Sequence, residues 1–145
     1  MFHWWFLYRI NAKRLAAAIA EAEGRTSGEI CVYVSHRRHG DPLKAAKVRF
    51  EKLGMTNTAQ RNGVLFYIVP RCRTFAIIGD SGIHAKVGHA FWEELAAMLS
   101  ASFKEGCLTE GLEKSIGRTG ELLAEFFPPL PGDQNELPNR PTGGF

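Results

Sequence analysis

Two short apolar runs separated by a short break constrain the fold of this chain more than any other feature. The runs cover residues 64–69 and 75–78, and both are rich in β-branched and aromatic side chains. Residues 70–73 (Pro-Arg-Cys-Arg) separate them, Asn62-Gly63 precedes the first, and residues 79–82 (Gly-Asp-Ser-Gly) follow the second. Because apolar runs between turn residues are typical of buried strands, we predict an antiparallel β-hairpin. The hairpin brings Asn62 and Asp80 to one edge of a sheet.

Helical patterns and one more strand surround the hairpin. Asn11 caps a first helix, a strand covers about residues 29–35, and Asp41-Pro42 begins a second helix. Two further helices cover about residues 83–104 and 109–126. The element order α-β-α-β-β-α-α predicts an α/β fold, a three-layer α/β/α sandwich with a small mixed sheet. The β-α-β crossover makes the first two strands parallel.

The two ends of the chain differ in composition from its middle. Residues 1–9 form an aromatic lead-in, residues 10–127 fit one domain, and residues 128–145 hold five of the seven prolines. We expect the last segment to be a Pro-rich flexible tail. The lead-in has no basic start and no cleavage site, and no stretch reaches the ~20 apolar residues of a membrane span. We therefore expect a cytoplasmic protein, with membrane-surface association through Trp4 and Trp5 as the alternative.

Charge and cysteine content exclude few functions. A net charge of +3 neither requires a nucleic-acid partner nor excludes an anionic ligand, and we expect no nucleic-acid partner. Cys31, Cys72 and Cys107 are odd in number and show no zinc-ligand spacing. The sequence therefore predicts neither a disulfide framework nor a zinc site.

Oxygen ligands gather at one predicted edge of the sheet. Glu29 begins the first strand, Asn62 begins the second, and Asp80 ends the third. Their oxygens, with hydroxyls from Thr56 or Ser81, suit a hard divalent cation such as Ca²⁺ or Mg²⁺. The alternative is that Asp80 only caps a helix and Asn62 only begins a strand, and spacing alone favours this alternative.

Arginines gather at the opposite edge, where the two parallel strands end. Arg37 and Arg38 follow the first strand, and Arg71 and Arg73 lie in the hairpin connection. Open α/β sheets bind ligands at this edge, and the second helix begins there, so an anion such as phosphate could bind. The alternative is that these side chains are solvated loop charges, which is the commoner role of such runs.

Four segments in one order resemble the TPM domain, named for thylakoid-lumen, photosystem II repair and acetylcholine-receptor-modulator proteins. These segments are residues 25–30 (Arg-Thr-Ser-Gly-Glu-Ile), 61–67 (Arg-Asn-Gly-Val-Leu-Phe-Tyr), 75–83 (Phe-Ala-Ile-Ile-Gly-Asp-Ser-Gly-Ile), and 86–88 (Lys-Val-Gly) with Phe91-Trp92. The resemblance covers about residues 10–127 and implies a small sheet between helices. It also implies binding of Ca²⁺ or Mg²⁺ near the sheet edge, which strengthens the metal interpretation of Glu29, Asn62 and Asp80. Plant members are described as acid phosphatases.

Three functions follow from these observations. The leading prediction is a small soluble domain that binds a divalent cation at the edge formed by Glu29, Asn62 and Asp80. The first alternative is a metal-assisted acid phosphatase, in which the cation polarises a phosphoryl oxygen and orients water. The second alternative is a non-enzymatic scaffold whose aromatic lead-in or Pro-rich tail recruits a protein partner.

Overall fold

The computed structural model describes residues 10–37 and 40–129, together with the backbone of residues 142–143. Its strands are β1 (Glu29–Val34), β2 (Gly63–Val69), β3 (Thr74–Gly79) and β4 (Thr142–Gly143). Its helices are α1 (Ala12–Glu23), α2 (Pro42–Lys52), α3 (Ser81–His84), α4 (His89–Glu105) and α5 (Leu108–Phe126). Short 3₁₀ turns cover Met55–Asn57 and Pro70–Cys72. The α/β class and the predicted order of the main elements are confirmed.

The sheet has the predicted mixed topology. Its strand order is β3-β2-β1-β4, with β1 parallel to β2 and β2 antiparallel to β3. The crossover through α2 makes the first pair parallel, as predicted from the element order. The caps of both early helices are also confirmed, because Asn11 Oδ1 accepts from the Arg14 N–H at 3.1 Å and Asp41 Oδ1 from the Leu43 N–H at 3.0 Å.

Helices cover both faces of the sheet, which gives the predicted three layers. Alternate residues of β1 and β2 point to opposite faces, so each face has its own apolar cluster. The larger cluster lies under α1, α4 and α5, and its strand residues are Ile30, Val32, Val34, Val64, Phe66 and Ile68. The smaller cluster lies under α2, and its strand residues are Cys31, Leu65, Tyr67, Val69 and Ala76.

The predicted helix over residues 83–104 is wrong in one respect, because the chain leaves the helical conformation near its start. Helix α3 ends at His84 with Ala85 as its C-cap, and Gly88 caps α4 with an extended backbone, φ −76° and ψ 165°. Val87 and Phe91, on either side of this break, both belong to the larger apolar cluster. The apolar spacing therefore continues across the break, and sequence periodicity did not detect it.

Parts of both termini lie outside the described residues. The aromatic lead-in, residues 1–9, is one of them. The predicted flexible tail begins at residue 128, and residues 130–141, 144 and 145 also lie outside. Residues 142–143 form β4, which runs parallel to β1 beside Tyr33 and Val34, and the flexible tail stays a prediction. Among the described helices, none is both long and apolar enough to cross a membrane.

Candidate cation site at the sheet edge

Backbone hydrogen bonds bring the three predicted ligand residues to one edge of the sheet. Glu29 is the register partner of Gly63, and the Glu29 N–H donates to the carbonyl oxygen of Asn62 at 3.4 Å. On the other side, the Asp80 N–H donates to the carbonyl oxygen of Gly63 at 2.9 Å. Glu29, Asn62 and Asp80 are only 4%, 1% and 6% exposed. The predicted juxtaposition of these residues is therefore present.

Glu29 and Asp80 lie on the α2 face of the sheet, on either side of Gly63. Because side chains alternate between the two faces of a strand, Glu29 lies on the same face as Cys31. Asp80, whose backbone is extended, lies on the same face as Ile78. The Glu29 carboxylate also acts on the pKa of the Cys31 thiol. Burial is the main cause that raises this pKa to about 12, and the carboxylates of Glu23 and Glu29 contribute. Gly63 has no side chain, and the buried Met55 side chain packs over it, because a Cβ at Gly63 would lie 3.3 Å from Met55 Cε.

Asn62 shares the edge but lies on the opposite face. Strand alternation puts it in phase with Val64, in the cluster under α1, α4 and α5. Its amide nitrogen donates to Ser27 Oγ at 3.4 Å. This geometry therefore does not favour the prediction that the side chains of all three residues converge. Asn62 contributes to the edge through its backbone carbonyl, which holds the start of β1.

Asp80 forms a two-point ion pair with a residue that the sequence did not single out. Arg61 Nε donates to Asp80 Oδ2 at 2.7 Å, and Arg61 Nη2 donates to Oδ1 at 2.9 Å. The Ser81 N–H also donates to Oδ1, at 2.7 Å. Burial raises the pKa of Asp80, but these hydrogen bonds and the charges of Arg61 and His84 outweigh burial and lower it. Asp80 is therefore a carboxylate at neutral pH.

Close packing requires glycine at two positions, Gly79 at the end of β3 and Gly82 in α3. A Cβ at Gly79 would lie 2.5 Å from the ring of Trp92, and a Cβ at Gly82 would lie 2.2 Å from the carbonyl oxygen of Gln60. The Gly82 N–H donates to the Arg61 carbonyl oxygen at 2.9 Å. The Gly-Asp-Ser-Gly sequence therefore joins β3 to the connector before β2 and fixes the position of Asp80.

The donor chemistry at this edge fits a hard cation. Ca²⁺ and Mg²⁺ take oxygen ligands, and Glu29 and Asp80 offer carboxylates. Thr58, in the connector before β2, is 5% exposed, and its hydroxyl has no hydrogen-bond partner within the described structure. Three other buried side-chain atoms of the described residues, in Thr74, Trp92 and Ser115, also have no partner, so this hydroxyl does not by itself indicate an ion. Among the described residues, however, no group of three or more His, Cys, Asp and Glu side chains could hold a metal ion.

Three of the four arginines that are predicted to bind an anion are described at the opposite edge of the sheet. Arg37 follows β1, Arg71 and Arg73 lie between β2 and β3, and Arg38 lies outside the described residues. Asp41 already accepts hydrogen bonds from the first N–H groups of α2. Its negative charge opposes an anion at that helix end. Anion binding by Arg37, Arg38, Arg71 and Arg73 stays a prediction.

The Arg61–Asp80 pair makes stability depend on pH in a defined direction. Because the folded state lowers the pKa of Asp80, the pair stabilises the fold above the unfolded value of about 3.9, and this stabilisation is lost as the pH falls through the folded pKa. Arg61→Asn removes the guanidinium and keeps a residue that tolerates a positive φ. We expect urea unfolding to show the variant less stable than wild type at pH 7, with the difference closing below about pH 4.

The matched control for this measurement is Arg118→Gln. Arg118 Nε donates to Glu94 at 2.7 Å, but both side chains are about half exposed, so this pair contributes little. The control should match wild type closely at every pH. A loss of stability in Arg61→Asn that stays constant from pH 7 to about pH 3 would contradict this assignment of the ion pair.

Known proteins resemble this chain in sequence and in fold. The model of the TPM domain family matches residues 6–122. The NMR structure of BA42 protein from the psychrophilic bacterium Bizionia argentinensis is 36% identical, with a TM-score of 0.85, over 93% of this chain and 95% of that one. No curated protein matches the sequence.

A more distant structure shares only the fold. The solution NMR structure of the N-terminal domain of cg2496 protein from Corynebacterium glutamicum is 14% identical, with a TM-score of 0.60. The match covers 76% of this chain and 69% of that one. The arrangement of strands and helices described above therefore occurs in proteins whose sequences differ widely.

Proposed function

The chain belongs to the TPM domain family, and on that premise we propose that it binds a divalent cation, Ca²⁺ or Mg²⁺, at the edge of its sheet. The carboxylates of Glu29 and Asp80 are the proposed ligands. The observation that carries the proposal is their placement: both are buried, and both lie beside Gly63 on the same face at one edge of the sheet. Both side chains supply carboxylate oxygens, which are the ligands that Ca²⁺ and Mg²⁺ prefer.

The other residues of the edge have supporting roles in this proposal. Asn62 holds the start of β1 through its carbonyl oxygen, and its predicted role as a side-chain ligand is replaced by this positioning role. A cation bound here would link β1 to the turn after β3, because it would contact the carboxylates of Glu29 and Asp80. Two carboxylates provide only part of the six to eight oxygens that Ca²⁺ prefers, so we expect weak, micromolar-to-millimolar binding.

Thermal unfolding in the presence of cation tests this proposal. A ligand that binds only the folded state stabilises it by about 2.7 kcal/mol at 100 times its dissociation constant. We therefore expect Ca²⁺ or Mg²⁺ at about 100 times its dissociation constant to raise the melting temperature by about 5–10 °C. Asp80→Asn should abolish most of this increase, whereas Arg37→Ala, at the opposite edge, should leave it unchanged. A melting temperature that neither cation raises would contradict cation binding.

The two alternative functions concern activity and partners. Acid phosphatase activity stays a prediction of the family resemblance, with the cation as its required component. Recruitment of a protein partner stays a prediction for the aromatic lead-in and the Pro-rich tail, most of which lies outside the described residues.

A further inference from the structure

The cation site already contains a positive charge that belongs to the protein. The Arg61 guanidinium meets both carboxylate oxygens of Asp80, at 2.7 Å and 2.9 Å. The two partners differ in exposure, because the Arg61 side chain is 49% exposed and the Asp80 side chain only 6%. The guanidinium therefore reaches the carboxylate from solvent. It can return to solvent without moving the core.

The backbone of Arg61 is held in an unusual conformation. Its φ of 51° lies in the left-handed region, which few residues other than glycine adopt. Two backbone hydrogen bonds hold it there. The Arg61 N–H donates to the Thr58 carbonyl oxygen at 3.3 Å, and the Gly82 N–H donates to the Arg61 carbonyl oxygen at 2.9 Å. Such a conformation costs free energy and persists where surrounding contacts fix it. The main chain of Arg61 is thus fixed beside Asp80, whatever its side chain does.

We propose that Arg61 is the resident counter-ion of this site, and that a divalent cation binds Asp80 by displacing the Arg61 guanidinium. This inference rests on the proposed function. In the cation-free protein the ion pair is closed and neutralises Asp80. On binding, the cation takes over the carboxylate oxygens and the guanidinium moves into solvent. The site therefore has two alternative occupants, and Arg61 sets the cation concentration at which one replaces the other.

Competition of this kind has a measurable cost in affinity. The apparent dissociation constant equals the intrinsic one divided by the fraction of molecules in which the ion pair is open. An open fraction of about one in ten weakens cation binding about tenfold. Removal of the guanidinium should restore the intrinsic affinity. A compact Lys ammonium cannot reproduce the two-point contact, so Arg61→Lys should give an intermediate affinity.

Calorimetric titration of wild type, Arg61→Asn and Arg118→Gln with Ca²⁺ tests this competition at constant ionic strength. Both variants lose one positive charge, so Arg118→Gln corrects for the change in net charge. We expect Arg61→Asn to bind about tenfold more tightly than wild type, and Arg118→Gln to match wild type. Equal affinities of all three proteins would overturn the competition and leave the proposed function standing. Absence of binding by every protein would overturn both.

A second measurement on the wild-type protein remains decisive if Arg61→Asn does not fold. NMR resonances of the Arg61 Nε–H and the Asp80 side-chain carboxyl carbon are followed during a Ca²⁺ titration. Displacement predicts that both shift with one dissociation constant and that the Arg61 Nε–H becomes open to solvent exchange. A carboxyl shift with an unchanged Arg61 resonance would mean that cation and guanidinium bind Asp80 together, and would overturn the inference.

Discussion

Gly82→Ala is expected to destabilise the protein by about 3 kcal/mol or more. The added Cβ would lie 2.2 Å from the carbonyl oxygen of Gln60 and 2.6 Å from that of Arg61. Both obstacles are backbone atoms, so no side-chain rotation relieves the overlap. The turn would have to move away from the connector before β2, at more than the usual cost of overpacking. Loss of the Gly82–Arg61 hydrogen bond adds to this cost.

Urea denaturation of Gly82→Ala beside Gly40→Ala measures this effect. A Cβ at Gly40, in the turn before α2, meets no atom within 4 Å, so its replacement should change stability by no more than about 0.5 kcal/mol. Gly82→Ala should also abolish any cation-dependent stabilisation, because it moves the segments that carry Asp80 and Arg61. Equal stability of the two variants would show that α3 does not pack against the connector as described.

Gly111→Ala and Gly117→Ala should have opposite effects, although both lie in α5. A Cβ at Gly111 would lie 1.8 Å from Ser102 Oγ and 2.4 Å from Ser102 Cβ, so α4 and α5 would have to separate. We expect a loss of about 2 kcal/mol. A Cβ at Gly117 meets nothing within 4 Å. Replacement of this helical glycine by alanine should stabilise the protein by about 0.5–1 kcal/mol.

A compensating change identifies the cause of the first effect. Ser102→Gly removes the side chain that opposes Gly111→Ala, so the double variant should be more stable than the sum of the two single changes predicts. Urea denaturation of the four proteins of this cycle measures the coupling. Additive effects would show that Ser102 does not limit the approach of α5 to α4.

The sheet was predictable because its signals are local. The apolar runs at residues 64–69 and 75–78 and the cap of α2 at Asp41 were enough to give the strand directions and the common edge of Glu29, Asn62 and Asp80. The face on which Asn62 lies was not apparent. Every residue of β2 is buried and the run after Gly63 is apolar throughout, so the sequence does not alternate between polar and apolar positions there.

The Arg61–Asp80 pair was not predictable from local patterns. The two residues are 19 positions apart, and their contact depends on the left-handed backbone of Arg61 and on the close approach of Gly82 to the connector. Neither propensity nor periodicity encodes such a contact. One signal was available in the sequence. The segment at residues 61–67, which resembles the TPM domain, begins with Arg61, and the predicted hairpin places this residue near Asp80.

A backbone amide titration with Ca²⁺ and Mg²⁺ tests the cation site most directly, because it detects binding and locates it in one experiment. We predict that the amides of residues 29–30, 62–63 and 80–82 shift with one dissociation constant. The amides of residues 71–74, at the opposite edge of the sheet, should not shift. An unchanged spectrum up to about 10 mM cation, beyond the weak end of the expected affinity range, would contradict cation binding at this edge. Shifts confined to residues 71–74 would contradict it as well.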